Sequence, residues 1–379
     1  MRRIVLGLIA VASWPSGVAP ACTLCAGNFR TRLSLRQEMA KAQLVVVGSA
    51  RNARLLNDDG AGLTDIWVHQ VIWGTSKELP AKIVIERYLS ETEIPGKRAI
   101  FFFRHLDHRW ELLAWRSCSS DRMVRYLNDL ASRRDQPEKT LFAFFADHLD
   151  DADADVAADA FLELTRAPDT EVAAIARQIS PNRLRRLLLD ARTPNENRGF
   201  LAFLLGCVGE ASDVQTIKKL LSQTPADQQG NRRGLLAAYV VLNPREGWPM
   251  VLHYLTDDRS TFLDRHTALA VVIFFKNWQR QINRQQILQG FRAAVSDADL
   301  ADLAIEELRR SRWWDLTEVI LHQYDQPTHD LPLIRRAIIR YAAQCPAPPA
   351  RQFLAKLQRT APDLVREILD TLREEEPNH

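Results

Sequence analysis

The sharpest chemical pattern in this sequence is Cys22-Thr23-Leu24-Cys25. Two cysteines at that spacing can form a redox pair, hold a metal or enter disulfides. A haem attachment would need His at position 26, which is Ala26. Metal ligation would have to recruit Cys118 together with His105 or His108. Structural disulfides are the expectation, with Cys22, Cys25 and Cys118 as candidates. Asp151, Asp153 and Asp155 alternate as in a calcium loop, but Val156 stands where that loop needs Gly and Leu162 where it needs Glu. The same acids sit where a helix should start, and there they stabilise exposed N–H groups, so they are weak metal candidates. The histidines are isolated, and no H-E-x-x-H, G-x-S-x-G or phosphate-cradling glycine loop occurs. Ser49, Ser119 and Ser120 have no activating context. A protein without catalysis or cofactor is expected, although triads assemble in space rather than in sequence. Trp67, Trp73, Trp313 and Trp314 are candidate anchors for a partner, with core packing as the competing role.

The elements that would position these residues follow from the periodicity. Residues 1–21 carry Arg2 and Arg3, the apolar run Ile4 to Ala12 and the small-residue site Ala19-Pro20-Ala21. They read as a secretory signal peptide, so a periplasmic or extracellular protein beginning at Cys22 is expected. A lipid on Cys22 is a lesser alternative. A thioredoxin-type pair needs a strand ahead of it, and after cleavage nothing precedes Cys22. No later run is long enough to span a membrane.

From Gln43 to about Arg116 the apolar pattern has period two. Leu44 to Val47, Ile66 to Trp73, Lys82 to Tyr88, Arg98 to Arg104 and Trp110 to Trp115 are five strand candidates, punctuated by Asn57-Asp58-Asp59-Gly60 and Pro95-Gly96. They predict a small, closed or partly closed, OB-like β-barrel. Simple alternation puts Ile66, Val68 and Ile72 on one side of the second strand and Trp67, Val71 and Trp73 on the other. Both sides are apolar, so a helix over Leu35 to Ala42 or the next domain should cover one of them.

After Ser120 the period becomes helical and stays so, with short breaks such as Ser180-Pro181-Asn182, Thr193-Pro194-Asn195 and Asn243-Pro244. Arg198-Gly199-Phe200-Leu201-Ala202 is echoed by Arg233-Gly234-Leu235-Leu236-Ala237. Asp330 to Ala337 resembles Asp155 to Ala160 and Asp264 to Ala268. A repeat of this length predicts stacked helix pairs. Cys207 and Cys345 lie in apolar helical stretches and read as small buried hydrophobes. The chain of 379 residues is 46% hydrophobic with a formal net charge of +3. Arg2 and Arg3 supply two of those charges, so the remainder is close to neutral, and a nucleic-acid footprint is not expected.

These patterns carry two resemblances. Residues 121–379 resemble the HEAT-repeat class. Residues 22–120, with CTLC at the start, the run Ala42 to Gly48, the segment Pro95 to Phe103 and the closing Ser117-Cys118-Ser119, resemble the netrin-like module of tissue inhibitors of metalloproteinases. The whole chain also looks like a group of exported bacterial proteins. The netrin-like resemblance implies that an N-terminal cysteine pair is tied to later positions. Cys118 would then bridge to Cys25 or Cys22 and staple the first domain's end to its beginning. The family begins Cys-x-Cys whereas this chain has Cys-x-x-Cys, which weakens the carry-over of inhibitory geometry. The architecture expected is α+β, an OB-like barrel followed by an α-solenoid. The function expected is non-enzymatic protein binding through the repeat surface and the barrel; a metalloprotease-inhibitor module or a hydrolase are the alternatives.

Overall fold

A computed structural model of the chain describes residue 24 and residues 32–57, 61–74, 79–90, 98–106, 109–278 and 280–375. Residues 1–21, expected as a signal peptide, lie outside the described residues, as do Cys22, Cys25 and His108 and both turns expected at residues 58–60 and 95–96. The protein is α+β: an antiparallel five-stranded sheet followed by a long array of helices.

The strands are β1 (Leu44–Leu55), β2 (Gly62–Trp73), β3 (Lys82–Ile85), β4 (Ala99–Leu106) and β5 (Arg109–Ser117), in the order β3-β2-β1-β4-β5. β-Branched and aromatic runs such as Leu44-Val45-Val46-Val47 and Ile100-Phe101-Phe102-Phe103 favour the half-buried pleat. Leu44, Val46, Ile66, Ile83, Ile85, Phe101 and Phe103 fill the concave side. Val45, Val47, Ile100 and Phe102 face the other way, into a core shared with α1 (Leu35–Lys41) and α2 (Asp121–Ser132). The helix expected over the second face is therefore present. Ser34 starts it with a capping box to Gln37.

Of the two expected forms, closed or partly closed, the sheet takes the open one: it curls, and Arg109 at the start of β5 pairs with Glu86 just past β3, without closing. β3 is four residues long, and the chain after it stays bonded to β2. There the buried Thr64 hydroxyl donates to Arg87 O (2.7 Å) and accepts from Leu89 N (3.0 Å). The alternation expected along β2 breaks. The register passes from Val68 to Gln70 and from Val71 to Trp73 opposite consecutive residues of β1, so His69 and Ile72 are bulged. A bulge turns the following side chains over. Ile66, Val68 and Val71 consequently share the concave core, while Ile72 and Trp73 join the core under α1 and α2.

Helices occupy the rest: α3 (Phe142–Asp147), α4 (Ala154–Thr165), α5 (Val172–Ala176), α6 (Pro181–Leu189), α7 (Asn195–Val208), α8 (Asp213–Gln223), α9 (Gln229–Leu242), α10 (Pro244–Thr256), α11 (Phe262–Trp278), α12 (Arg284–Ser296), α13 (Ala301–Arg310), α14 (Thr317–Gln323), α15 (Pro332–Gln344), α16 (Pro348–Thr360) and α17 (Pro362–Glu375). α5, α7, α9 and α11 pack side by side in one layer, as do α13, α15 and α17, and α10, α12, α14 and α16 form the second layer. This is the two-layer packing of HEAT-like helix pairs. The echoing segments are neighbours in space: Gly199 of α7 lies against Gly230 and Gly234 of α9, backbone to backbone. That approach lets α11 reach past α9 to α7, with the Phe203 and Phe274 rings 4.7 Å apart. Ala160, Ala268 and Ala337, the small residues of the second echo, are all buried. Ion pairs also recur at the repeat spacing, Arg185 to Asp213 across 28 residues, Arg232 to Asp264 across 32 and Arg340 to Glu375 across 35. One apolar core runs unbroken from the underside of the sheet to α16.

Candidate functional site

The densest polar cluster lies where the sheet meets the helical array. Asp159 and Glu163 are four residues apart on α4, hence on one face of it, and that face meets the N-terminus of α1. Leu35 N donates to Asp159 Oδ1 at 2.8 Å, and Tyr126 OH of α2 donates to Asp159 Oδ2 at 2.9 Å. Ser34 caps α1 and donates its hydroxyl to Glu163. The Arg36 guanidinium grips Glu163 through Nε (3.0 Å) and Nη2 (2.9 Å), and its Nη2 reaches Glu138 at 3.3 Å. On the far side of α1, Glu38 pairs with Arg116 of β5. The carboxylates of Asp159 and Glu163 are thus placed where the first N–H groups of α1 and its dipole favour negative charge.

Burial, opposed by the Leu35 N–H and aided by the charge of Glu163, raises the Asp159 carboxyl to about 7. The Tyr126 phenol is pushed well above its usual range by burial and by the Asp159 it donates to. Burial likewise raises Glu38, with Arg116 opposing. A cavity of about 100 Å³ adjoins the cluster, walled by Arg32, Leu35, Arg116, Met123 and Asp159 among others. The chemistry fits an electrostatic latch between modules: every acid in it holds a donor of another element.

The sequence-derived candidates fall differently. Asp153 caps α4 through Oδ1, and its Oδ2 accepts from Ser119 and from Ser120, the cap of α2. Asp151 holds Asp153 N (2.9 Å) and Arg122 (3.4 Å). The helix-start role therefore accounts for Asp151 and Asp153, and among the described residues no cluster of three or more metal-ligating side chains exists. Cys118 is a buried free thiol in this structure, with Sγ 3.7 Å from Ser120 O, so the expected bridge from it to Cys25 or Cys22 is not present. Cys345 is buried and Cys207 half-buried, as small apolar residues would be. Three of the four tryptophans pack. Trp73 lies under the Arg134 guanidinium (4.3 Å), Trp313 under that of Arg284 (3.9 Å), and Trp314 meets Tyr341 edge-on (4.9 Å). Trp67 stands out at 40% exposed.

Asp159, Glu163, Arg36 and Tyr126 were not among the candidates. A signal was present: on α4 both acids are flanked by apolar neighbours in Ala158-Asp159-Ala160-Phe161-Leu162-Glu163-Leu164, so a helix buried all round has to bury them as well.

No protein-family model matches the chain, and no curated protein is significantly similar to it. Among solved structures, one of human deoxyhypusine hydroxylase in complex with glycerol aligns with 65% of this chain and 89% of its own, at 13% identity and a TM-score of 0.28. So low a score carries no argument about activity. No helix among the described residues is long and apolar enough to cross a membrane.

Proposed function

We propose that this is a non-enzymatic, exported binding protein that engages a protein partner through the outer sheet face and the helical-repeat surface. The observation that carries this is Trp67. Beyond the cover of α1, cross-strand neighbours Ser49, Trp67 and Lys82 form one row of the outer face, and Arg51, Asp65 and Val84 form the next. Trp67 and Val84 are exposed there. The surface under them is fixed: the buried Asp65 carboxylate accepts from Asn52 (3.1 Å), Arg54 (3.3 Å) and Lys82 (3.3 Å), which holds it below the usual range. An aromatic anchor on a rigid strand loses little entropy on binding. On the same reading the sheet and α1 form a netrin-like module, supported by five antiparallel strands curled round Phe101 and Phe103.

Trp67→Ala is expected to leave the thermal transition within a few degrees of wild type and to lower partner capture from the exported fraction at least about tenfold. Equal capture by both proteins would refute the reading.

One observation favours the hydrolase alternative. Ser49 Oγ lies 3.2 Å from His69 Nε2, at the first bulge of β2. Ser49 is only 2% exposed, however, which puts its hydroxyl out of reach of a substrate carbonyl. Ester-substrate turnover is accordingly expected to be unchanged in Ser49→Ala; loss of a turnover present in wild type would reverse the ranking.

A further inference from the structure

A second cavity, of about 220 Å³, opens between α6, α7, α8 and α9. Its polar wall consists of Arg198, Asn195, Gln223, Thr224, Gln228 and Asn231, with no Asp or Glu among the lining residues. Its apolar wall is Leu188, Leu220 and Leu235. Arg198 makes no ion pair among the described residues. One Nη2 contact goes to the Asp190 carbonyl (3.2 Å), and its buried Nε has no partner. The neighbouring charges do not compensate it. The Asp190 carboxylate is taken by Arg192 (2.7 Å), while Glu196 and Asp227 are exposed and outside the cavity wall.

Two further features add positive potential. α7 and α9, fourteen residues each, both begin at this cavity, and neither has a side-chain cap. Asn197 N and Gln229 N already donate to Pro194 O (3.0 Å) and Asp227 O (2.9 Å), so it is the remaining N–H groups of the first turns and the dipoles that favour an anion. The Asn231 carboxamide is held in place, its Oδ1 accepting from Gly199 N (3.0 Å) and its Nδ2 donating to Gln228 Oε1 (3.0 Å). A guanidinium without a carboxylate partner, beside two helix starts without a side-chain cap, is what a carboxylate pairs with. The leucines opposite them suit a short hydrocarbon stem. At ~30 Å³ per water the space equals about seven waters, which suits an acid of a few carbons.

We propose that this cavity binds a carboxylate on a short apolar stem, with the carboxylate against Arg198 and the stem against Leu188, Leu220 and Leu235. The carboxylate has two sources, a free small acid or a glutamate side chain presented by a polypeptide. The proposal does not depend on the Trp67 reading, which concerns the sheet, and either can fail alone.

The test is calorimetric titration of the full-length protein with hexanoate, hexylamine, hexanol and a blocked peptide bearing one Glu. Hexanoate or the Glu peptide is expected to bind at least about tenfold more tightly than the amine or the alcohol. The tighter of the two identifies the source. Arg198→Gln is expected to remove that preference. Leu220→Phe, which fills the cavity and leaves the charge, should abolish binding of either acid and serves if the arginine variant fails to fold. Equal affinity for hexanoate and hexylamine, no binding by either acid, or binding that survives both substitutions would overturn the proposal.

Discussion

Gly234→Ala is expected to destabilise the protein by more than about 3 kcal/mol, far beyond the ordinary effect of adding a methyl group. In an isolated helix the same change stabilises by about 1 kcal/mol. Packing reverses the sign. A Cβ at Gly234 would fall on the carbonyl oxygen of Gly199 and 2.6 Å from its Cα, and these are backbone atoms that no rotamer change can move. α7 and α9 would have to part, carrying the Phe203–Phe274 contact with them. Gly230→Ala is the internal control. It lies one turn earlier on α9, and a Cβ there meets nothing within 4 Å. That change is expected to be neutral or stabilising by up to about 1 kcal/mol. Urea midpoints of the two variants against wild type decide the matter, and similar midpoints would show that the glycine contact does not hold the two repeats together.

Asp159→Asn is expected to flatten the dependence of stability on pH. In the unfolded chain this carboxyl titrates near its ordinary 3.8, and in the folded protein at about 7. The folded state therefore binds the proton more tightly. The stabilisation this confers is fully present below pH ~4 and is lost as pH rises through 7. Wild type should lose stability across that window, by an amount of order a few kcal/mol from this residue. The asparagine keeps one acceptor for Leu35 N, and its amide can donate to Tyr126 OH, which turns to accept. The variant should match wild type near pH 4 and exceed it at pH 8. Asp159→Ala should be weaker than both throughout, since it leaves the Leu35 N–H and the Tyr126 hydroxyl buried without a partner. Parallel pH–stability curves for wild type and the asparagine variant would remove Asp159 as the source.

The contrast between these sites shows what the sequence can reveal. The change from period two to helical period is local, and the structure places it between Ser117, which ends β5, and Asp121, which begins α2. The echo of Arg198-Gly199 in Arg233-Gly234 disclosed a repeat, because stacked units use the same residue where two backbones meet. Which of the closed and partly closed forms the sheet takes was not legible, because closure depends on β3 and β5, two strands that are not neighbours in sequence. The faces of β2 were misassigned for a similar reason, since nothing in His69 or Ile72 announces a bulge. The burial of Asp159 and Glu163 could be read from their apolar flanks, but not what they hold, since Ser34 and Glu163 are 129 residues apart and spacing arguments see only neighbours.

The reach of that latch also bears on the order in which the chain can complete its fold. α1 is made early, yet the groups that receive its first turn, Asp159 and Glu163, follow 124 and 129 residues later. Until α4 has emerged, the first turn of α1 and the Tyr126 hydroxyl of α2 lack the carboxylates that receive them. A chain delivered N-terminus first therefore carries α1 on its sheet without that anchor through nearly half its length. Maturation of the first module is thus timed by the second.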